Sequence, residues 1–270
     1  LLVLSPLVLH PLVMQLVAHD DDPVLLRRLL TWLQLPAASA LVASFVVDKG
    51  TLAAGLAAPW LAVTGLTAVY GFVRLWRRGL KPAWAVSMDA GLVFIAIGAM
   101  WTVASRYGMR PLGFSDTIVL LTGAHFHYAG FVLPVLAGLV ARAHERRITD
   151  VAAWGVVAAV PATAIGITYS PIIEVVAAYG LSACGFAIAI GQLTIARNAK
   201  LSAASLLMGL SSLSLMLAMT LATVYATGEF RGLPWPSIPE MAQFHGTLNA
   251  LGTCLLGIWA WTMEPSTGEG

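Results

Sequence analysis

Two histidines, His125 and His127, stand one residue apart in the stretch GAHFHYAGF, inside a long apolar run. A third, His245, precedes Asn249 by four residues in EMAQFHGTLNALG. Two carboxylic acids, Asp89 in AVSMDAGLVFIAIG and Glu174 in SPIIEVV, are set in equally apolar surroundings. An imidazole can move a proton, ligate a metal or clamp two hydrogen-bond partners. A carboxyl taken out of water must be paired or hold its proton, and in the second state it can serve as a general acid.

Spacing narrows the choice. At 100° per residue, positions 125 and 127 of a regular helix point about 200° apart, so one metal ion cannot take both. The i, i+4 histidine pair of zincin-type sites is absent. Gly123 and Gly130 flank the pair and admit both a local distortion and the close approach of a neighbouring helix. His245 and Asn249 do share a face, and an amide that fixes one imidazole nitrogen suits either an acid–base group or a hydrogen-bond clamp.

The elements that carry these residues are membrane helices. Of 270 residues 59% are hydrophobic and 10% charged, less than half the usual charged share of soluble domains, so the bilayer is the solvent for most of the chain. The net charge of +2, with neither a basic run interleaved with aromatics nor a Gly-rich phosphate loop, argues against a nucleic-acid partner. Cys184 and Cys254 lie in apolar segments and read as buried packing residues. Apolar segments fall at about 1–17, 33–47, 52–75, 83–104, 116–141, 150–168, 171–195, 203–227 and 238–263, with 24–32 as an amphipathic approach to the second. The opening LLVLSPLVLHPL reads as a membrane segment and not as a cleaved signal peptide.

Odd-numbered connectors hold Arg27, Arg28, Arg74, Arg77, Arg78, Lys81, Arg142, Arg146, Arg147, Arg197 and Lys200, whereas even-numbered ones hold Lys49, Arg106, Arg110 and Arg231. That asymmetry places the odd connectors in the cytoplasm. The expected fold is an all-α, polytopic integral membrane helical bundle of nine transmembrane helices, N-terminus outside and C-terminus inside. It forms a single domain over 1–263 with a polar tail at 264–270, in the bacterial inner membrane. Ser170 before Pro171, the capping box Ser237–Glu240 and Asp150 in a first turn support the helix starts.

With that topology, His125 and His127 lie ~14–17 Å below the outer face, His245 ~10 Å and Glu174 ~5 Å, and Asp89 is near mid-depth. The expectation is one outward-opening pocket lined by these groups. Tyr128 and Trp101 stand at the substrate, and Asp116, Arg106 and Arg110 gate its mouth. His10 reads as a structural histidine, His19 and His144 as solvated, and Glu240 as half of its capping box.

Two resemblances attach to these residues. LSPLVLHPL, APWL at 58–61, RPLGFSDTIVLLTGAHFHYAGFVLPVLAG at 110–138 and IPEMAQFHGTLNALG at 238–252 make nearly the whole chain resemble the bacterial YndJ-like family of polytopic membrane proteins. This resemblance implies a multi-pass membrane protein and carries no settled activity. More locally, DTIVLLTGAHFHY is similar to the haem-copper oxidase helix whose two histidines, one residue apart, ligate two haems on opposite faces. It would make His125 and His127 axial ligands, but the adjacent histidine pair and the further copper-ligating histidines of those enzymes are missing.

Three functions follow as expectations. The first is a cofactor-independent membrane enzyme using general acid–base chemistry on a lipophilic, isoprenoid-like substrate, as in proton-initiated isomerisation or cyclisation. Asp89 or Glu174 donates the proton, His125, His127 or His245 orients or receives it, and Asn249 positions. The second is a haem- or transition-metal-binding redox protein using His125, His127 and His245. The third is a carrier, sensor or structural membrane protein. Membrane lipids are partners in all three, and the oligomeric state stays open.

Overall fold

The computed structural model describes residues 1–18, 22–144, 146–233 and 235–263. His19 and the tail 264–270 lie outside the described residues. Within them the chain forms nine helical rods: α1 (Ser5–Val17), α2 (Val24–Ser44), α3 (Thr51–Arg78), α4 (Ala83–Tyr107), α5 (Asp116–His144), α6 (Arg147–Tyr169), α7 (Pro171–Asn198), α8 (Ala203–Phe230) and α9 (238–263). Each corresponds to one predicted segment. Six of them, α3 to α8, are long and apolar enough to cross a membrane. Helix α1, at about 20 Å, is shorter than the hydrocarbon core.

Short polar caps set the helix starts. Ser115 and Ser170 accept from the backbone N–H three residues on, and Ser237 and Glu240 complete the predicted capping box. A second box, Ser202 with Ser205, opens α8. The largest departure from expectation is α2. The segment 24–32 is not a separate interfacial approach but the first half of one helix that runs through Pro36. An interior proline is tolerated where neighbouring helices satisfy the freed backbone groups.

Three rods contain π-helical turns: Ser5–Leu9 in α1, Phe126–Val132 in α5 and Leu248–Leu255 in α9. The first two turns end just before Pro11 and Pro134, which have no N–H to continue the i→i−4 ladder.

The helices group into two compact units, Leu1–Lys81 with Met88–Val135, and Pro82–Ser87 with Leu136–Gly270. In the first unit α2 packs along α3, and the π turn of α1 meets α2 and the π turn of α5. Backbones come close where glycine allows it. A Cβ on Gly91 of α4 would stand 2.6 Å from the Phe131 carbonyl oxygen of α5, and one on Gly71 of α3 would stand 2.7 Å from the Asp89 carbonyl oxygen. In the second unit α6, α7, α8 and α9 pack in sequence. Gln192 of α7 is its buried polar hub: it donates to Met208 O (3.2 Å) and Ser211 Oγ (3.0 Å) of α8 and accepts from Trp261 Nε1 of α9 (3.1 Å).

Gly65 has open space where Gly91 has a backbone oxygen. Thermal unfolding in detergent is therefore expected to show Gly65→Ala neutral or slightly stabilised, and Gly91→Ala destabilised by about 1–3 kcal/mol.

Candidate functional site

The buried chemistry of the first unit lies at two levels. At the first, α3, α4 and α5 meet around His127, which is fully buried, as is Trp60. Trp60 Nε1 donates to His127 Nε2 at 2.9 Å. An indole N–H cannot accept, so Nε2 must be the unprotonated nitrogen and Nδ1 carries the proton. That proton is donated to Gly123 O at 2.7 Å. The imidazole is therefore neutral with both nitrogens engaged. Ser5 of α1 donates to the His127 carbonyl oxygen at 3.3 Å. Gly98 makes room for the ring, since a Cβ there would stand 2.8 Å from His127 Nδ1. One turn along, Thr102 occupies the space beside Gly123.

His10 joins the same cluster. It is buried, contacts Thr67 Oγ1 through Nε2 at 3.0 Å, and sets its ring edge-on to Trp60 at 5.3 Å and tilted to Phe131 at 5.9 Å. Its Nδ1 has no partner among the described residues.

His125 faces the other way and is exposed. A π turn rotates less per residue than an α turn, so two positions still make close to half a turn and the pair stays divided. His127 is the inward member. Tyr128 is buried, and its hydroxyl donates to Leu1 O. Trp101 packs against Phe114, with ring centroids 6.1 Å apart.

The second level holds Asp89. Nine residues separate it from Gly98 along α4, about 13 Å. Its carboxylate accepts from Arg74 Nε (2.8 Å) and Arg78 Nη2 (2.9 Å). Arg74 also donates to Asp22, Tyr70 and Val17 O, and Tyr70 donates to Asp22. Arg74, Asp22 and Asp89 are all buried. Two guanidinium groups and two carboxylates thus share one hydrogen-bonded set. Asp89 does not stand alone as the sequence suggested: burial favours its protonated form, and Arg74 and Arg78 oppose that by favouring the carboxylate.

At the opposite end of α4, Asp116 pairs with Arg110 (2.7 Å) and Lys49 (3.0 Å) on the surface. Arg106 is not part of that gate. It is buried, donates to Ser44 O (3.0 Å) and Val47 O (2.7 Å), and lies over the Phe45 ring, so it satisfies carbonyls at the end of α2.

In the second unit, His245 and Asn249 form the expected i, i+4 pair. His245 Nδ1 donates to Ala218 O of α8 at 2.9 Å, which leaves Nε2 to accept from Asn249 Nδ2 at 3.1 Å. Asn249 also donates to the His245 carbonyl oxygen (2.9 Å), just where the π turn of α9 begins. Glu174 belongs to a different level. Its carboxyl group feels the neighbouring Glu229 of α8, as does Tyr225. Eleven residues of α8 separate Glu229 from Ala218, about 16 Å. A single pocket uniting the candidate residues is therefore not what either unit builds: Asp89 and His127 stand apart in the first, Glu174 and His245 in the second.

An axial haem ligand or metal ligand needs an imidazole nitrogen with a free lone pair. His127 offers none while Trp60 donates to it, and His245 Nε2 is engaged by Asn249. Among the described residues no three His, Cys, Asp or Glu side chains are grouped to hold a metal ion. The side chains do not fit the haem or metal arrangement that the oxidase resemblance implies.

Several partners escaped the sequence reading: Trp60 as donor to His127, Thr67, Asp22, Lys49, Gln192, Glu229 and Tyr225. One signal was available. Tyr70, Arg74 and Arg78 recur every four residues on one face of α3, opposite Asp89 across a short connector.

A YndJ-like family model matches residues 1–253. The chain is 31% identical to the uncharacterised membrane protein YndJ of Bacillus subtilis (strain 168) over 227 residues, which are 83% of this chain and 41% of that relative. It thus spans less than half of that relative's length. No solved structure matches the chain.

Removing the indole donor leaves a buried imidazole nitrogen unpaired. Trp60→Phe is expected to cost about 1–3 kcal/mol in detergent unfolding, and Trp60→Phe combined with His127→Phe less than the sum of the two. An additive double variant would show that the two side chains do not interact. Asp89→Asn strands two guanidinium groups and should cost about 3–5 kcal/mol in the same assay.

Proposed function

The chain belongs to the YndJ-like family of bacterial membrane proteins, and from that premise we propose that it is a non-catalytic membrane module of the carrier, sensor or structural class. The observation that carries this reading is the Trp60–His127–Gly123 chain of hydrogen bonds. A general base needs a free lone pair and a general acid a proton it can release. His127 has neither to spare, His245 is clamped in the same tautomer by Ala218 and Asn249, and Asp89 is held by two cations. These groups act as interhelical and intrahelical ties, a common use of polar side chains inside membrane proteins.

A second reading, the acid–base enzyme on a lipophilic substrate, draws on one observation. Glu174 and Glu229 are near enough to influence each other, and the repulsion of two neighbouring carboxylates is relieved when one keeps its proton. Glu174 is half-buried and would be the proton donor, with Tyr225 of α8 near it.

The two readings separate in the lipid fraction of cells. Extracts from cells expressing the wild type, Glu174→Gln or an empty vector are compared by mass spectrometry. The proposed function expects the same lipid species in all three. A species present only with the wild type, and lost in Glu174→Gln at equal protein level, would overturn it in favour of the enzyme.

A further inference from the structure

The last turns of α3 carry two kinds of residue with opposite fates. Tyr70, Arg74 and Arg78 face inward and are consumed by Asp22 and Asp89. Phe72, Val73, Trp76 and Arg77 face outward and line a groove of about 250 Å³. Phe72 is 55% and Trp76 79% exposed, and their rings tilt against each other at 6.1 Å. Arg77 lies in the final turn, and Lys81 follows in the connector.

Charge complementarity names the occupant. Arg74 and Arg78 are engaged by the two buried carboxylates. Arg77 and Lys81 have no acidic partner within 4 Å among the described residues. Among the described residues, Arg77 at the groove and Lys81 four residues on are therefore two cations without an acidic partner, at the end of a helix long and apolar enough to span a membrane. Tryptophan settles at the headgroup level, where its apolar ring meets lipid and its N–H meets a polar group. Basic side chains at that level attract anionic lipid, and the guanidinium fork matches a phosphate.

We propose that this groove is a site for one anionic phospholipid, with the phosphate on Arg77 and Lys81 and an acyl chain over Trp76, Phe72 and Val73. The site is independent of the buried residues weighed above.

The test uses the full chain reconstituted into nanodiscs containing bromine-labelled acyl chains on either phosphatidylglycerol or phosphatidylcholine. Quenching lost between wild type and Trp76→Phe isolates Trp76 from the other tryptophans. That component is expected to be at least about twofold greater with the anionic lipid. It should fall to the phosphatidylcholine level in Arg77→Gln/Lys81→Gln, whose unfolding temperature stays at the wild-type value because neither cation belongs to the inner network. Equal quenching by both lipids would overturn the proposal and leave an ordinary lipid annulus. So would loss of the difference on adding inorganic phosphate, which would identify a free anion as the ligand. Trp76 shielded from both lipids in discs that hold two crosslinkable copies would overturn it in favour of a dimer contact.

Discussion

An indole N–H can only donate, and that one-sidedness decides the role of the imidazole it meets. Once Trp60 points its N–H at His127 Nε2, the tautomer, the charge and the remaining bond of His127 all follow. The Nδ1 proton must find an acceptor on the buried side, and Gly123 O, one turn back on α5, supplies it. The ring must then lie flat against α4, which explains Gly98 at the point of contact and the small-residue pairing of Thr102 with Gly123. Ser5, tied to the His127 carbonyl, brings the π turn of α1 to the π turn of α5. One donor of fixed polarity thus coordinates α1, α3, α4 and α5 within the first unit.

The second constraint is electrostatic. Buried charges persist in a bundle only in neutral, hydrogen-bonded sets, since an isolated one costs several kcal/mol. In the α3–α4 hairpin Arg74 stands little more than one turn before the end of α3 and Asp89 nearly two turns into α4, and the two meet across the short connector. The second unit follows a different course and buries an amide instead of ions. Gln192 can donate and accept at once, so it ties α8 and α9 to α7 without any charge to neutralise.

Much of the architecture was legible because membrane burial writes itself in one dimension. Hydropathy and caps such as Ser170 and Ser237 bounded the rods other than α2 to within a few residues, and the half-turn between His125 and His127 follows from helical rotation alone. What depended on pairing across helices was hidden. Asp89 reads identically as a stranded acid or an ion-paired one until the facing residue is known, and the sequence reading counted Arg74 and Arg78 only as topology signals. The same holds for Arg106, whose proximity to Arg110 and Asp116 in sequence suggested a shared gate. Its side chain instead turns to the carbonyls at the end of α2. Continuity of α2 between 32 and 33 was missed because Arg27 and Arg28 made 24–32 read as an amphipathic segment of its own.

The division of labour along α3 connects these points. A face that repeats every four residues, Tyr70, Arg74 and Arg78, spends its polarity inside, and the adjacent face, Phe72, Trp76 and Arg77, meets the bilayer. The inner set engages Asp22 and Asp89, and among the described residues Arg77 and Lys81 have no acid within 4 Å. The same reasoning bears on function. The imidazoles of His127 and His245, the amide of Gln192 and the ions of the first unit are engaged in holding helices together, whereas His10 Nδ1 is buried with no partner among the described residues.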